Sequence, residues 1–233
     1  MTMEIINFSQ EINESDIELS LGYIIFNNIS VKREHSSFLD DNISEISNYI
    51  KDTYSLESIK DNEIIRKYRD FYWHYLKIDP TKIRPSAEAL IRRILGNKTI
   101  PQISNVVDAY NWVSIETLIP MGAYDYDVLK FPLTLRYAKE GEEFIPIGGK
   151  VKTLKGHEII LADNAKKIMF QYPYRDADFS KVTTKTRNIL LVSCGVPGIS
   201  TELLEKSLKK FHFIMEKMSP TQFSSSDISI LKK

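Results

Sequence analysis

The chain has 233 residues, enough for one large or two small domains, and its 42% hydrophobic and 27% charged content excludes a disordered chain. Lys plus Arg and Asp plus Glu both number 31, so the formal net charge is zero and the basic excess of a protein living on nucleic-acid backbone is missing. No apolar run reaches the roughly 18 residues of a bilayer span, residues 1–10 lack the basic start and apolar stretch of a secretory signal, and a lone Cys194 makes no internal disulfide. A cytoplasmic protein without a membrane partner is expected, with Cys194 a small buried residue rather than a nucleophile.

Residues 1–34 read as β structure. Ile17, Leu19 and Leu21 alternate with polar or small residues, Tyr23-Ile24-Ile25-Phe26 is a short apolar run, and Asn27-Asn28 marks a turn. From residue 37 to 54 the period turns helical, with Leu39, Ile43, Ile46 and Ile50 on one stripe. Ser36 or Ser37 is the expected cap, with Asp40 and Asp41 in the first turn. A second helix is expected over 62–76, with Ile65, Tyr68, Tyr72 and Tyr75 on its packed face, Trp73 nearby and Asp79-Pro80 as the stop. A third begins after Arg84-Pro85. Ser86 is its expected N-cap and Glu88 lies in its first turn. Ala87, Leu90, Ile91, Ile94 and Leu95 are its apolar face, Arg92 and Arg93 point away from it, and Gly96 ends it.

Residues 105–118 read as a largely buried helix, carrying Asp108 and Asn111. Pro120-Met121-Gly122-Ala123 then turns the chain towards Asp125 and Asp127, interleaved with Tyr124 and Tyr126. A D-x-D pair without a neighbouring His or Cys does not complete a metal site, so Asp125 is expected to accept backbone N–H groups instead. Beyond Phe131 the chain is strand-rich. Leu133–Tyr137 carries Arg136; 144–147, 158–161, 168–171 and 189–192 are further strands, and 172–178 is a polar, aromatic loop. Gly148-Gly149 lacks the strand–turn–helix setting of a phosphate loop. A last helix starts after Ser200 and buries Leu204, Leu208, Phe211 and Met215; residues 221–233 are Ser-rich and read as a frayed tail. A single α+β domain follows. Arg84, Arg92, Arg93, Lys181, Lys185 and Arg187 either form a local basic face or are scattered over the surface.

The stretch P-Q-I-S-N-V-V-D-A-Y-N (101–111) followed by P-M-G-A-Y-D-Y-D (120–127) resembles the B3/B4 domain of the phenylalanyl-tRNA synthetase beta subunit. Bacterial members read V-V-D-V-T-N-Y and P-M-H-A-F-D-L-D there. The likeness runs from about residue 68 to about 199, through R-Y-A-K-E-G-E-E-F-I-P-I (136–147), H-E-I-I-L-A-D (157–163) and T-R-N-I-L-L (186–191). It implies a mixed, mostly antiparallel sheet flanked by helices and, by family role, an editing site that hydrolyses tyrosine from tRNA(Phe) without a metal or other cofactor. Partners implied are tRNA or aminoacyl-tRNA, or a small amino-acid-like ligand, and no DNA.

Three departures set limits on that inheritance. Gly122 stands where the family has histidine, Val192 where bacterial members have the glutamate that recognises the wrong amino acid, and 174–178 replaces a glycine-rich I-F-G-G-E segment. A chain of this length has no room for a class II catalytic domain besides this one, so a free-standing, trans-acting deacylase of altered specificity is expected. Its expected catalytic residues are Asn111, Asp125, Arg175 and Asp176. Arg84 and Ser86 are expected at the entrance, and Asp108, Gly122, Arg136 and Thr186 as substrate contacts. Two other readings remain open: a non-catalytic module binding an amino-acid-like ligand, and an accessory subunit using exposed aromatics such as Trp112 or Phe179.

Overall fold

The computed structural model describes residues 5–33, 37–218 and 223–233, except the side chains of Ser37, Asp40 and Asp41, so the expected caps of the 37–54 helix lie outside the described residues. In chain order the elements are β1 (Ile6–Phe8), α1 (Gln10–Glu14), β2 (Ser20–Asn27), α2 (Ser37–Thr53), α3 (Glu63–His74), α4 (Ser86–Leu95), α5 (Asn105–Thr117), β3 (Met121–Asp125) and β4 (Leu133–Tyr137). There follow β5 (Glu143–Phe144), β6 (Lys152–Thr153), β7 (Ile159–Ala162), β8 (Ile168–Gln171), β9 (Arg175–Asp176), β10 (Ile189–Gly195), α6 (Thr201–Met218), β11 (Ser224–Ser225) and β12 (Ser229–Lys232).

The strands form two sheets and a hairpin. One sheet has the order β1-β4-β7-β8-β9, the other β11-β2-β10-β3 with β12 also on β2, and β5 pairs with β6. All ladders are antiparallel except β1 with β4. The fold is therefore α+β with mixed, mostly antiparallel pairing.

Strand β10 explains how the layers meet. All seven of its residues are buried, because it is covered on both faces. Successive side chains point to opposite faces. Leu190, Val192 and Cys194 join the core between the two sheets, while Ile189 and Leu191 join a second core beneath α4, α5 and α6. Strand β2 divides likewise, Leu21 and Tyr23 to the first core, Ile24 and Phe26 to the second. Tyr172, fully buried at the end of β8, crosses between the sheets: its hydroxyl donates to Ser20 O at 2.6 Å, with Gly195 O at 3.0 Å the alternative acceptor.

Several local expectations change. The 1–34 region is not all β: Ser9 Oγ accepts from Ile12 N–H and starts α1, whose one buried residue, Ile12, is too little to show a helical period. On α3, Phe71 takes the buried place and Tyr75 stacks on it from the surface, 5.2 Å between ring centres; Trp73 is exposed. Asn62 caps that helix by accepting from Ile64 and Ile65 N–H. Pro85 occupies the cap position of α4 and Ser86 is the first helical residue, with no side-chain cap. Arg92 does not point away into solvent. It donates to Glu88 at 2.7 Å and to Leu56 O. Glu88, fully buried, also receives Arg69 at 3.0 Å, which ties α4 to α3. Ile145 and Ile147 are exposed residues of a loop rather than strand. The expected frayed tail, over its described residues, is two strands on β2, and Lys233 reaches back with its ammonium to Ser15 O and Ile17 O.

Candidate functional site

A cavity of about 150 Å³ opens between the sheets beside the P-M-G-A-Y-D corner. Six elements contribute to it. From β3 come Met121, Gly122 and Tyr124; from α5, Tyr110, Asn111 and Ser114; from β8 and the turn into β9, Phe170, Pro173, Tyr174, Arg175 and Asp176; from the start of α4, Ser86. Cys194 of β10 closes the floor. The spacing on α5 is that of one helical face, with Ser114 three residues from Asn111 and four from Tyr110. Ser104 caps this helix through Val107 N–H, and Asn105 locks it to the 30–32 segment by donating to Ser30 O and accepting from Lys32 N–H, both within 2.9 Å.

Asp176 is the chemically distinctive group. Tyr124 donates its hydroxyl to Asp176 Oδ1 at 2.6 Å, and among the described residues the second oxygen has no hydrogen-bond partner. Burial raises the Asp176 carboxyl above the usual carboxylate range, against the pull of Tyr124 and Arg175. Burial also pushes the Tyr110 and Tyr124 phenols and the Cys194 thiol upward, so all three stay protonated at neutral pH. The cavity therefore holds one ionisable acid, neutral hydroxyl and amide groups, and the Arg175 guanidinium at its exposed rim.

The space beside Gly122 is not an opening left by a lost imidazole. A Cβ on Gly122 would lie 2.6 Å from the Tyr124 hydroxyl. Tyr124, where the family motif has Phe, turns its hydroxyl into that space, and its ring stacks on Phe170 at 5.2 Å. Val192, fully buried in the inter-sheet core, pairs with Gly122 across the strands.

The structure thus brings together Asn111, Gly122, Arg175, Asp176 and Ser86. It sets the other candidates elsewhere. Asp125 is held by the turn: it accepts from Asp127 N–H at 3.2 Å and from Thr186 Oγ1 at 2.6 Å, so this pair fastens the end of β3 instead of lining the cavity. Asp127 accepts from the Asn188 amide. Arg136 forms a bidentate pair with Glu142, at 2.5 and 2.9 Å, at the far end of β4. Arg84 lies 4.0 Å from buried Glu88. Asp108 accepts from Ile103 N–H and borders a separate groove of about 200 Å³ between α2 and α5, with Trp112. Of the basic residues only Arg84 and Arg92 meet, at buried Glu88; Arg93 donates to Thr99 O, Lys181 pairs with Asp178 and Arg187 caps carbonyls of its own loop. Sequence reading missed Tyr110, Ser114 and Tyr124 as lining residues. The helical spacing around Asn111 was the available signal for the first two. No group of three His, Cys, Asp or Glu gathers for a metal among the described residues, and no helix there is long and apolar enough to cross a membrane.

The chain that forms this cleft belongs to the B3/4 domain family: the B3/4 domain model matches residues 67–217. Similar curated proteins are phenylalanine–tRNA ligase beta subunits. That of Bacillus cereus is 33% identical over 128 residues, covering 54% of this chain and 16% of the subunit. That of Protochlamydia amoebophila is 35% identical over 107 residues, covering 46% and 13%. The chain therefore spans a small fraction of these relatives' length. Among solved structures, an N-terminal fragment of the phenylalanyl-tRNA synthetase beta subunit from Pyrococcus horikoshii matches with a TM-score of 0.42 and 18% identity, over 48% of this chain and 40% of the fragment.

Proposed function

We propose that this chain is a trans-acting, cytoplasmic aminoacyl-tRNA editing factor that hydrolyses the ester of a mischarged tRNA, with a specificity different from tyrosine removal. The observation that supports it most is Asp176, which lines the cavity with one oxygen held by Tyr124 and, among the described residues, no hydrogen-bond partner on the other. At about 150 Å³ that cavity is below the roughly 300–1,000 Å³ of drug-sized pockets, so it suits a single amino-acid moiety and not a whole nucleotide. In this reading Asp176 takes a proton from the water that attacks the ester carbonyl, and the ribose oxygen leaves protonated. Asn111 and Arg175 donate to the oxygen on which charge develops. Asp125 and Thr186 hold the β3 end in place, and Ser86 borders the entrance.

The test is release of amino acid from a panel of mischarged tRNAs. Asp176→Asn is expected to slow release about 10²–10⁴-fold, the range for loss of a general base. No release above buffer for any amino acid would remove the proposal.

One observation favours a second reading, a non-catalytic module for the same amino-acid-like ligand. The cavity contains no histidine, and Tyr124 fills the place beside Gly122. Stabilisation by an aminoacyl-adenosine analogue in a thermal-shift assay, without turnover, would select it.

A further inference from the structure

The strand that carries Arg175 and Asp176 is not the outer wall of the cavity. Beyond it lies the β5–β6 hairpin, whose 145–151 loop is hydrogen-bonded to that same strand. Ile147 N–H donates to Asp176 O at 3.0 Å, Asp178 N–H donates to Ile145 O at 2.9 Å, and Pro146 bridges to Ala177. Gly148, at φ 65°, and the Gly149 N–H bonded to Pro146 O make the loop turn back on itself. The loop exposes three large apolar side chains within seven residues, Ile145 at 51%, Ile147 at 44% and Val151 at 53%. Lys150 and Lys152 flank them, both exposed, and the Lys152 ammonium lies 5.9 Å from the centre of the Tyr174 ring at the cavity mouth. Three exposed apolar side chains on one short loop, rimmed by polar residues, have the composition of an interaction surface.

We infer that this hairpin is the landing surface for the single-stranded 3′ end of the RNA whose aminoacyl group enters the cavity. The inference rests on the proposed editing or ligand-holding site and adds its partner surface. The cavity admits the amino-acid moiety alone, so the nucleotides attached to it lie on the rim. On the β9 side the rim offers what an unpaired strand requires: Lys150, Lys152 and Arg175 for phosphates, and flat apolar or aromatic surface, Ile147, Val151 and Tyr174, for base faces. The local cations also reconcile RNA contact with zero net charge: binding through two or three phosphates gives a weak, salt-sensitive complex instead of the tight grip of a basic protein.

The experiment measures binding of an uncharged tRNA by fluorescence anisotropy across a salt series, for the whole chain and two variants. The double variant Lys150→Glu with Lys152→Glu is expected to weaken binding and to lower the slope of log affinity against log salt by about one for each phosphate no longer neutralised. Ile147→Ser with Val151→Ser, which removes apolar surface and no charge, is expected to weaken binding while leaving the slope unchanged. Thermal stabilisation by an aminoacyl-adenosine analogue is expected to be retained in the lysine variant, which separates the hairpin from the cavity. Unaltered affinity and slope in the lysine variant overturn the inference. So does absence of tRNA binding by the unmodified chain. Self-association through the patch, relieved by Ile147→Ser with Val151→Ser and indifferent to tRNA, would make it a protein contact and likewise overturn it. If the variants lose RNA as expected but no mischarged tRNA is hydrolysed, the hairpin stands and the hydrolytic reading falls.

Discussion

Gly122 and Tyr124 act as one unit, and each is intelligible only through the other. A glycine in the middle of a strand costs side-chain packing, yet here the Tyr124 hydroxyl uses the vacated volume and reaches Asp176. Gly122→Ala is therefore expected to destabilise the fold by about 1–3 kcal/mol, as for other overpacked sites, and Tyr124→Phe in the same chain is expected to recover part of that loss. Chemical denaturation of the two single variants and the double variant checks this. If the two changes add without coupling, the shared-volume account is wrong. Asp176 has its own signature. Its carboxyl is raised by burial, so between the ordinary carboxylate range and its folded value the folded chain binds more protons than the unfolded one. Stability attributable to this group falls as pH rises through that window. Asp176→Asn, which never charges, should raise Tm relative to the unmodified chain at pH 7, and by less at pH 4. The sequence did show that Gly122 replaces a family histidine, because a motif aligns by letters. It did not show Tyr124 as the occupant, since which side chain fills a gap is decided by strand pairing and the stack on Phe170.

Among the elements, those with a long apolar period were legible. Helices α2 and α3 lie within one or two residues of their expected spans and α6 starts where expected, because each buries one apolar stripe, while α5, buried on most sides, matches the span its family resemblance implied. Short elements were not: α1 rests on one cap and one isoleucine, and β9 is two residues whose strand character comes wholly from pairing with β8. Asp125 shows the same limit at the site. Its role in fastening the turn follows from the residues, but the Thr186 hydroxyl that occupies its other oxygen comes from a segment distant in the chain. Helix α4 is the element whose appearance misled most. Its charges look like a solvated face, yet Glu88 is fully buried and draws Arg69 and Arg92 inward. Glu88→Ala leaves two partly buried guanidinium groups without their counter-charge and should cost about 3–5 kcal/mol in urea denaturation. A loss below about 1 kcal/mol would show that solvent replaces the carboxylate freely.

At the scale of the molecule, the two sheets and the helical layer are joined by β10, which gives one face to each core, and β2 lies between β10 and the terminal strands. Removal of residues 223–233 uncovers one side of β2, together with Gly22, where Ile230 packs. Loss of a few kcal/mol in a domain of this size should lower Tm by about 5–10 °C in calorimetry; an unchanged Tm would mean the terminal strands are ornamental to folding. Net neutrality was readable from composition, but the placing of Lys152 beside Tyr174 at the cavity mouth was not, because it depends on a hairpin folding onto β9.

The pairing of β2 has a consequence for biosynthesis. The ribosome releases β2 before each strand that pairs with it among the described residues, β10 on one side and β11 and β12 on the other. Between the emergence of β2 and that of β10 the nascent chain carries an apolar ribbon with two bare margins, so chains stalled in that interval should cling to one another or to a chaperone.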